Sequence, residues 1–139
     1  MLHHLSLGVR DLARSARFYD AALAELGFVR VWSDFDGEPD TQAVGYGLPG
    51  GGDKLALKQR SAAAAAAPLA PGPGFHLALA APSREAVARF HAQALQHGGR
   101  DNGAPGLRPH YGPHYYAAFV VDPDGYALEA VFNAAVAGA

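Results

Sequence analysis

The chain has 139 residues, of which 50% are hydrophobic and 17% are charged, a composition typical of one soluble globular domain. Its formal net charge of -2 gives no basic surface for nucleic acid and no polybasic patch for a membrane. It contains no cysteine, which excludes disulfides, thiolate nucleophiles and thiolate metal ligands. No apolar stretch approaches the roughly 18 residues of a spanning helix and no secretory signal is visible, so we expect a cytoplasmic protein.

The predicted elements begin with a strand over residues 2–9, in which apolar residues alternate with polar or small ones. Asp11 is a suitable N-cap for the amphipathic helix that follows and ends at Gly27. Three further strands are predicted at 28–32, 43–47 and 54–59. The last two form a hairpin, so the first module, residues 1–60, is predicted to be βαβββ.

A linker is predicted over residues 61–74, with one helical turn in its alanine run, because its proline- and glycine-rich tail cannot continue a helix or a central strand. The second module, residues 75–135, begins with a strand over 75–80 and a helix that is capped by Ser83 and ends near His97. A loop over 101–113 is followed by two hairpin strands, 115–121 and 126–132, around a turn at 122–125.

The second module repeats the first at an offset of 72 residues. The 24 positions from His4 to Gly27 hold nine identities with the positions 72 residues later, where roughly two are expected from composition. His4 and His76 occupy the same place in the two copies. In this gapless register Glu129 lies opposite Leu57, so the repeat is broken at one carboxylate.

We predict an α+β fold in which the paired βαβββ modules form a curved mixed sheet around a cleft, because one helix covers only one face of each module's sheet. By strand parity, His4, His76 and Glu129 lie on the face away from the helices and point into this cleft. Two histidines and one carboxylate with open positions form the facial triad of metal-dependent oxygen chemistry. The sequence therefore predicts a divalent metal ion, with Fe, Mn, Zn, Ni and Co all open.

The chain resembles the vicinal oxygen chelate superfamily of glyoxalases, extradiol dioxygenases and bleomycin- and fosfomycin-resistance proteins along its whole length. Three stretches carry the resemblance: His4-x4-Val9-x-Asp11-Leu12-x2-Ser15-x2-Phe18-Tyr19, Gly74-Phe75-His76-Leu77-Ala78-Leu79 and Asp122-Pro123-Asp124-Gly125-Tyr126-x2-Glu129.

The resemblance implies the glyoxalase/bleomycin resistance/dioxygenase fold, a homodimer, and a metal held by His4, His76 and Glu129. The fourth ligand of glyoxalases falls on Leu57, which cannot bind a metal, although Gln59 could offer an amide oxygen nearby. Three protein ligands match the ligation of extradiol dioxygenases. The modules can pair within one chain or by exchange between two chains.

The predicted function is that of a metal-dependent dioxygenase, lyase or isomerase acting on a small oxygenated substrate that chelates the metal through vicinal oxygens. Candidates for proton transfer lie in and beside one aromatic loop: Tyr115, Tyr116, His110 and His114. A metal-free protein that binds a small drug-like molecule, as bleomycin-resistance proteins do, is the alternative. A scaffold whose cleft is only a dimer interface is a third possibility.

Arg108 is interpreted as a solvated loop charge, and three aromatic residues are expected in the core: Trp32, Tyr46 and Phe119.

Overall fold

The computed structural model describes residues 1–136 and contains the predicted strands and helices in order, together with one further strand in the second module. The first module contains β1 (Leu5–Val9), α1 (Leu12–Ala24), β2 (Val29–Asp34), a 3-10 turn (Pro39–Thr41), β3 (Ala43–Gly47) and β4 (Leu55–Gln59). The linker contains α2 (Ser61–Ala66). The second module contains β5 (Leu77–Ala80), α3 (Arg84–Gln96), β6 (Arg100–Leu107), β7 (Tyr115–Val121) and β8 (Ala127–Asn133). The predicted α+β class with βαβββ modules is confirmed.

The two long helices begin at the predicted caps and pack against each other. The side chain of Asp11 accepts a hydrogen bond from the amide of Arg14, and the side chain of Ser83 accepts one from the amide of Ala86. Helix α3 begins and ends 72 residues after α1. The longest helices within residues 1–136, α1 and α3, have 13 residues each, which is too short to span a bilayer.

Each module forms its own four-stranded mixed sheet, with strand orders β1-β4-β3-β2 and β5-β8-β7-β6. The first strand of each module runs parallel to the last, and the other pairs are antiparallel. One face of each sheet packs on the helices and is fully buried at residues such as Val9, Leu57 and Ala130. The opposite face carries an open groove, so one chain has two grooves.

Strand β6 lies where the turn-forming residues of the sequence predict the first part of a loop. It lies at the edge of its sheet and pairs with β7 through two register shifts, one on each side of Gly103. Edge positions and bulges are where glycine and proline are tolerated in a sheet, so Pro105 can stand within this strand. The prediction of a loop over 101–113 is therefore wrong for residues 101–107.

The repeat register is shifted by one residue at the last strand of each module. Ser6 on β1 pairs with Ala56, whereas the equivalent Ala78 on β5 pairs with Glu129. The structural counterpart of Glu129 is therefore Ala56 rather than Leu57, which faces the helices and is fully buried. A one-residue shift exchanges the two faces of a strand. Alanine also lacks a donor atom, so the counterpart position still supplies no ligand.

The turn at residues 122–125 binds the helix of the other module. The hydroxyl of Tyr19 donates to Asp122, and the hydroxyl of Ser15 donates to Asp124 at 2.9 Å. The guanidinium of Arg14 forms an ion pair with Asp124 at 3.1 Å. These contacts fix α1 against the β7–β8 hairpin and hold the two modules together.

Candidate functional site

A groove on the sheet of the second module brings together two of the three predicted ligands. This second groove, with a volume of about 350 Å³, is lined by Gly74, Phe75, His76, Asn102, Tyr111, Tyr115, Phe119, Ala127 and Glu129. His76 directly precedes β5, and Glu129 lies on the neighbouring β8. Nε2 of His76 is 3.2 Å from Oε1 of Glu129. The imidazole is 53% exposed, whereas the carboxylate is only 2% exposed.

Both carboxylate oxygens of Glu129 have partners. Oε1 faces His76, and Oε2 accepts a hydrogen bond from the hydroxyl of Tyr115. Burial of the phenol, together with its hydrogen bond to this carboxylate, raises the pKa of Tyr115 to about 12. Tyr115 therefore stays protonated at neutral pH and acts as a hydrogen-bond donor to Glu129.

Only one of the four residues predicted to transfer protons lies in the second groove, and that residue is Tyr115. Tyr116 points to the other face of β7, where its ring packs against the core. His110 lies beyond the groove, with its ring centroid 4.1 Å from that of Tyr111. His114 is exposed on the loop before β7 and does not line the groove.

The second groove also contains residues that the sequence does not predict as site residues, among them Tyr111, Asn102 and Phe119. Tyr111 and Asn102 stand in a segment whose composition predicts turns, and the ring of Tyr111 lies 5.2 Å from that of Tyr115. Phe119, expected in the core, pairs directly with Glu129 across β7 and β8. Because cross-strand partners share a face, this pairing is the signal that identifies Phe119.

A separate groove lies on the sheet of the first module and contains His4. This first groove, with a volume of about 310 Å³, is lined by His3, His4, Ser6, Trp32, Asp40, Thr41, Gln42, Ala43, Asp53, Ala56, Lys58 and Arg60. His4 directly precedes β1 and is exposed, with its Nδ1 atom 2.8 Å from Nδ1 of His3. Trp32, expected in the core, is 38% exposed and lines this groove, whereas Tyr46 is buried as expected.

In each sheet, one aromatic side chain lies over a glycine of the neighbouring strand. A Cβ atom on Gly45 would lie 2.2 Å from Nε1 of Trp32, and one on Gly103 would lie 3.0 Å from Cδ2 of Phe119. Glycine at these positions lets the rings approach the backbone closely. The aromatic residue lies on the outer strand β2 in the first module but on the inner strand β7 in the second.

The three predicted ligands do not form one cluster within a single chain. Among residues 1–136, no three histidine or carboxylate side chains lie close enough together to hold a metal ion. His76 and Glu129 share the second groove, whereas His4 lines the first. One chain therefore carries two partial donor sets on two grooves.

Two other side chains considered from the sequence have structural partners. The amide oxygen of Gln59 accepts a hydrogen bond from the backbone of Leu12, and its amide nitrogen donates to the carbonyl of Arg10. Gln59 therefore caps α1 and faces away from the first groove. The guanidinium of Arg108 donates to two carbonyl oxygens of β6 and lies 5.4 Å from the ring centre of Phe119.

The fold and the sequence match known proteins. Residues 1–130 match the family described as the Glyoxalase/Bleomycin resistance protein/Dioxygenase superfamily. A solved glyoxalase/bleomycin resistance protein from Albidiferax ferrireducens T118 is 31% identical, with a TM-score of 0.69 over 92% of this chain and 94% of that chain. A glyoxalase-related enzyme from Fulvimarina pelagi is 25% identical, with a TM-score of 0.65 over 94% of this chain and 86% of that one.

A glyoxalase I mutant from Zea mays shares the fold at 22% identity, with a TM-score of 0.71. The match covers 94% of this chain but only 45% of the maize chain. No curated protein sequence gives a match. The family match over residues 1–130 and the fold together show that this chain belongs to the glyoxalase/bleomycin resistance protein/dioxygenase superfamily.

Proposed function

We propose that the protein is a divalent-metal-dependent enzyme in which His4, His76 and Glu129 bind the metal. The observation that carries this proposal is the carboxylate of Glu129, which is 2% exposed at the floor of an open groove and lies beside a half-exposed imidazole. A buried carboxylate requires nearby protons or positive charge, and a divalent cation would supply that charge. Carboxylate oxygen and imidazole nitrogen suit Fe(II), Mn(II), Zn(II), Ni(II) and Co(II).

In this proposal His4 comes from a second copy of the chain. A two-fold dimer in which the first groove of each copy faces the second groove of the other brings His4 of one copy to His76 and Glu129 of its mate, and creates two equivalent sites. Members of the superfamily often form dimers. Two large exposed side chains that line the grooves, Trp32 and Tyr111, would be covered by such an arrangement.

A bound metal would supply Lewis acidity, which stabilises negative charge developing on two vicinal oxygens of a small substrate. Tyr115 holds the carboxylate of Glu129 in place and keeps the proton on its own hydroxyl at neutral pH. The rings of Tyr111 and Phe119 form apolar walls of the second groove. The reaction class that we propose is that of a dioxygenase, lyase or isomerase.

Metal content per chain tests this proposal. Protein purified without chelators or a histidine tag is expected to hold near-stoichiometric metal, and His76→Ala and Glu129→Ala are each expected to lose it. His97→Ala is the matched control, because this histidine lies at the end of α3 and its ring bonds to the carbonyl of Gln93 in its own helix. Protein without metal that also fails to bind any on titration would overturn the proposal.

Mixing two inactive variants tests the shared site. In a heterodimer of one His4→Ala chain and one Glu129→Ala chain, one of the two sites carries both substitutions and the other site is intact. Random mixing should therefore restore about a quarter of the wild-type metal content. If the ligands came together within one chain, the mixture would bind no more metal than either variant alone.

A metal-free binding protein is the second candidate, and one observation favours it. Both oxygens of Glu129 have partners within the chain, the imidazole of His76 and the hydroxyl of Tyr115. A protein of this kind would hold a small aromatic or drug-like molecule between the grooves. Such a protein would neutralise a toxic molecule by binding it. Protection would therefore rise in proportion to the amount of protein, with no turnover and no effect of added metal.

A further inference from the structure

A row of small residues crosses the sheet beneath the first groove and ends at a tryptophan. Ser6 on β1 pairs with Ala56 on β4, Ala56 pairs with Gly45 on β3, and Gly45 pairs with Trp32 on β2. Because cross-strand partners share a face, these four residues lie side by side across the sheet. The indole of Trp32 lies over Gly45, so the open floor of the groove is formed by Ser6 and Ala56. These two residues leave room for a flat group beside an indole that is 38% exposed.

The two ends of the first groove carry opposite charge. Lys58 follows Ala56 by two residues, so it lies on the same face of β4, about 7 Å further along the strand. Among residues 1–136 it has no ion-pair partner. Asp53 lies at the other end, before β4 begins and near the end of the sheet where His4 enters β1. An anion is therefore attracted to the Lys58 end and repelled from the Asp53 end.

The other two charged side chains near Lys58, Asp40 and Arg60, have opposite signs and already have hydrogen-bond partners. Asp40 accepts hydrogen bonds from the hydroxyl and amide of Ser61 and from the amide of Ala62, and the bond from the Ser61 hydroxyl lowers the pKa of Asp40. The guanidinium of Arg60 donates to the carbonyl oxygen of Asp40 at 2.8 Å. Lys58 is the cation of the groove that has no partner in the part of the chain that the structure describes.

We propose that the site takes a flat aromatic carboxylate as its substrate. Its ring lies over the small floor beside Trp32, its carboxylate pairs with Lys58, and its chelating oxygens point toward His4. The position of the chelating oxygens rests on the proposed function. The binding of ring and carboxylate depends on the first groove alone.

The only tryptophan of the chain makes this proposal directly testable, because the ¹H–¹⁵N spectrum contains a single indole signal. Metal-free protein is titrated with benzoate and, separately, with benzamide, which has a similar shape but no charge. Benzoate is expected to shift the indole signal saturably and to bind several-fold more tightly than benzamide. Lys58→Gln should weaken the binding of benzoate roughly three- to tenfold and leave the binding of benzamide unchanged.

Lys54→Gln is the matched control, since Lys54 is the one other lysine of the sequence and does not line the first groove. An unshifted indole signal, equal binding of benzoate and benzamide, or equal effects of the two lysine variants would each overturn the proposal. Retention of the wild-type unfolding midpoint by Lys58→Gln excludes a folding defect. Since no metal is present, these results are independent of the metal-content measurement, and each proposal can fail without the other.

Discussion

The hydroxyl of Tyr19 donates a 2.5 Å hydrogen bond to the carboxylate of Asp122 and thereby joins α1 of the first module to the turn before β8 of the second. Both side chains are buried. The second oxygen of Asp122 accepts hydrogen bonds from the amides of Asp124 and Tyr126. One carboxylate therefore fixes a hairpin turn and an inter-module contact at the same time.

Tyr19→Phe should destabilise the protein, because it leaves an oxygen of Asp122 buried without its donor. The expected loss in the free energy of unfolding is about 1–3 kcal/mol. Urea unfolding followed by circular dichroism measures it. Tyr111→Phe is the control, since Tyr111 is 62% exposed and its hydroxyl has no hydrogen bond within residues 1–136. Equal effects of the two substitutions would refute the buried contact.

Asp122→Asn should change how stability depends on pH. Burial raises the pKa of Asp122 above its ordinary value of about 4, so the folded state binds the proton more tightly than the unfolded state does. The contribution of Asp122 to stability is therefore greatest below that ordinary value and falls as pH rises toward the folded pKa. Asparagine keeps an acceptor for the two turn amides but does not titrate.

The difference in unfolding free energy between Asp122→Asn and wild type should consequently shift in favour of the variant as pH increases from about 3 to about 7. Urea unfolding at several pH values gives this difference. A difference that is constant across the range would show that the pKa of Asp122 is the same in the folded and unfolded chains.

Tyr115→Phe should weaken metal binding without unfolding the protein. Removal of the hydroxyl leaves Oε2 of Glu129 free to rotate or to be hydrated, and loss of such an orienting bond typically lowers metal affinity about 10- to 100-fold. Competition with a chromophoric chelator measures this affinity. Tyr116→Phe, on the opposite face of the same strand, should leave it unchanged. Unaltered affinity in Tyr115→Phe would remove Tyr115 from the site.

Gly45→Ala should displace the indole of Trp32. The added Cβ atom would lie 2.2 Å from Nε1 of Trp32 and 2.9 Å from Cβ of Asp53, so one or both must move, at a cost of about 1–3 kcal/mol in stability. The emission maximum of the single tryptophan reports the displacement. Gly52→Ala is the control, because a Cβ atom there meets no other atom within 4 Å. Identical emission from both variants would contradict the close packing of Trp32 on Gly45.

Local patterns predict most of the fold because they act over a few residues. Asp11 and Ser83 cap helices where their side chains can reach the next turn, and apolar periodicity marks the buried faces. The sequence does not predict strand β6, because β6 pairs with β7 through bulges and its glycine and proline residues are typical of a turn. The counterpart of Glu129 is missed because a gapless alignment cannot detect a one-residue shift of register.

The candidate site is less predictable because it depends on how the modules pack. Strand parity identifies the exposed face that carries Glu129, and His76 lies beside it since their strands are neighbours within one sheet. His4 belongs to the other sheet. Its distance from the other two residues is set by contacts such as that of Tyr19 with Asp122, between residues far apart in sequence, and no local pattern encodes those contacts.

The first sheet has its aromatic residue on the outer strand and the glycine beneath it on the inner strand, and the second sheet has the reverse arrangement. The two halves of the molecule are therefore chemically different although their backbones are similar. Trp32 stands on an outer strand, whereas Phe119 stands on an inner one, so the two aromatic walls are not related by the symmetry of the repeat. A symmetric compound lying between such walls would meet different surroundings at its two ends.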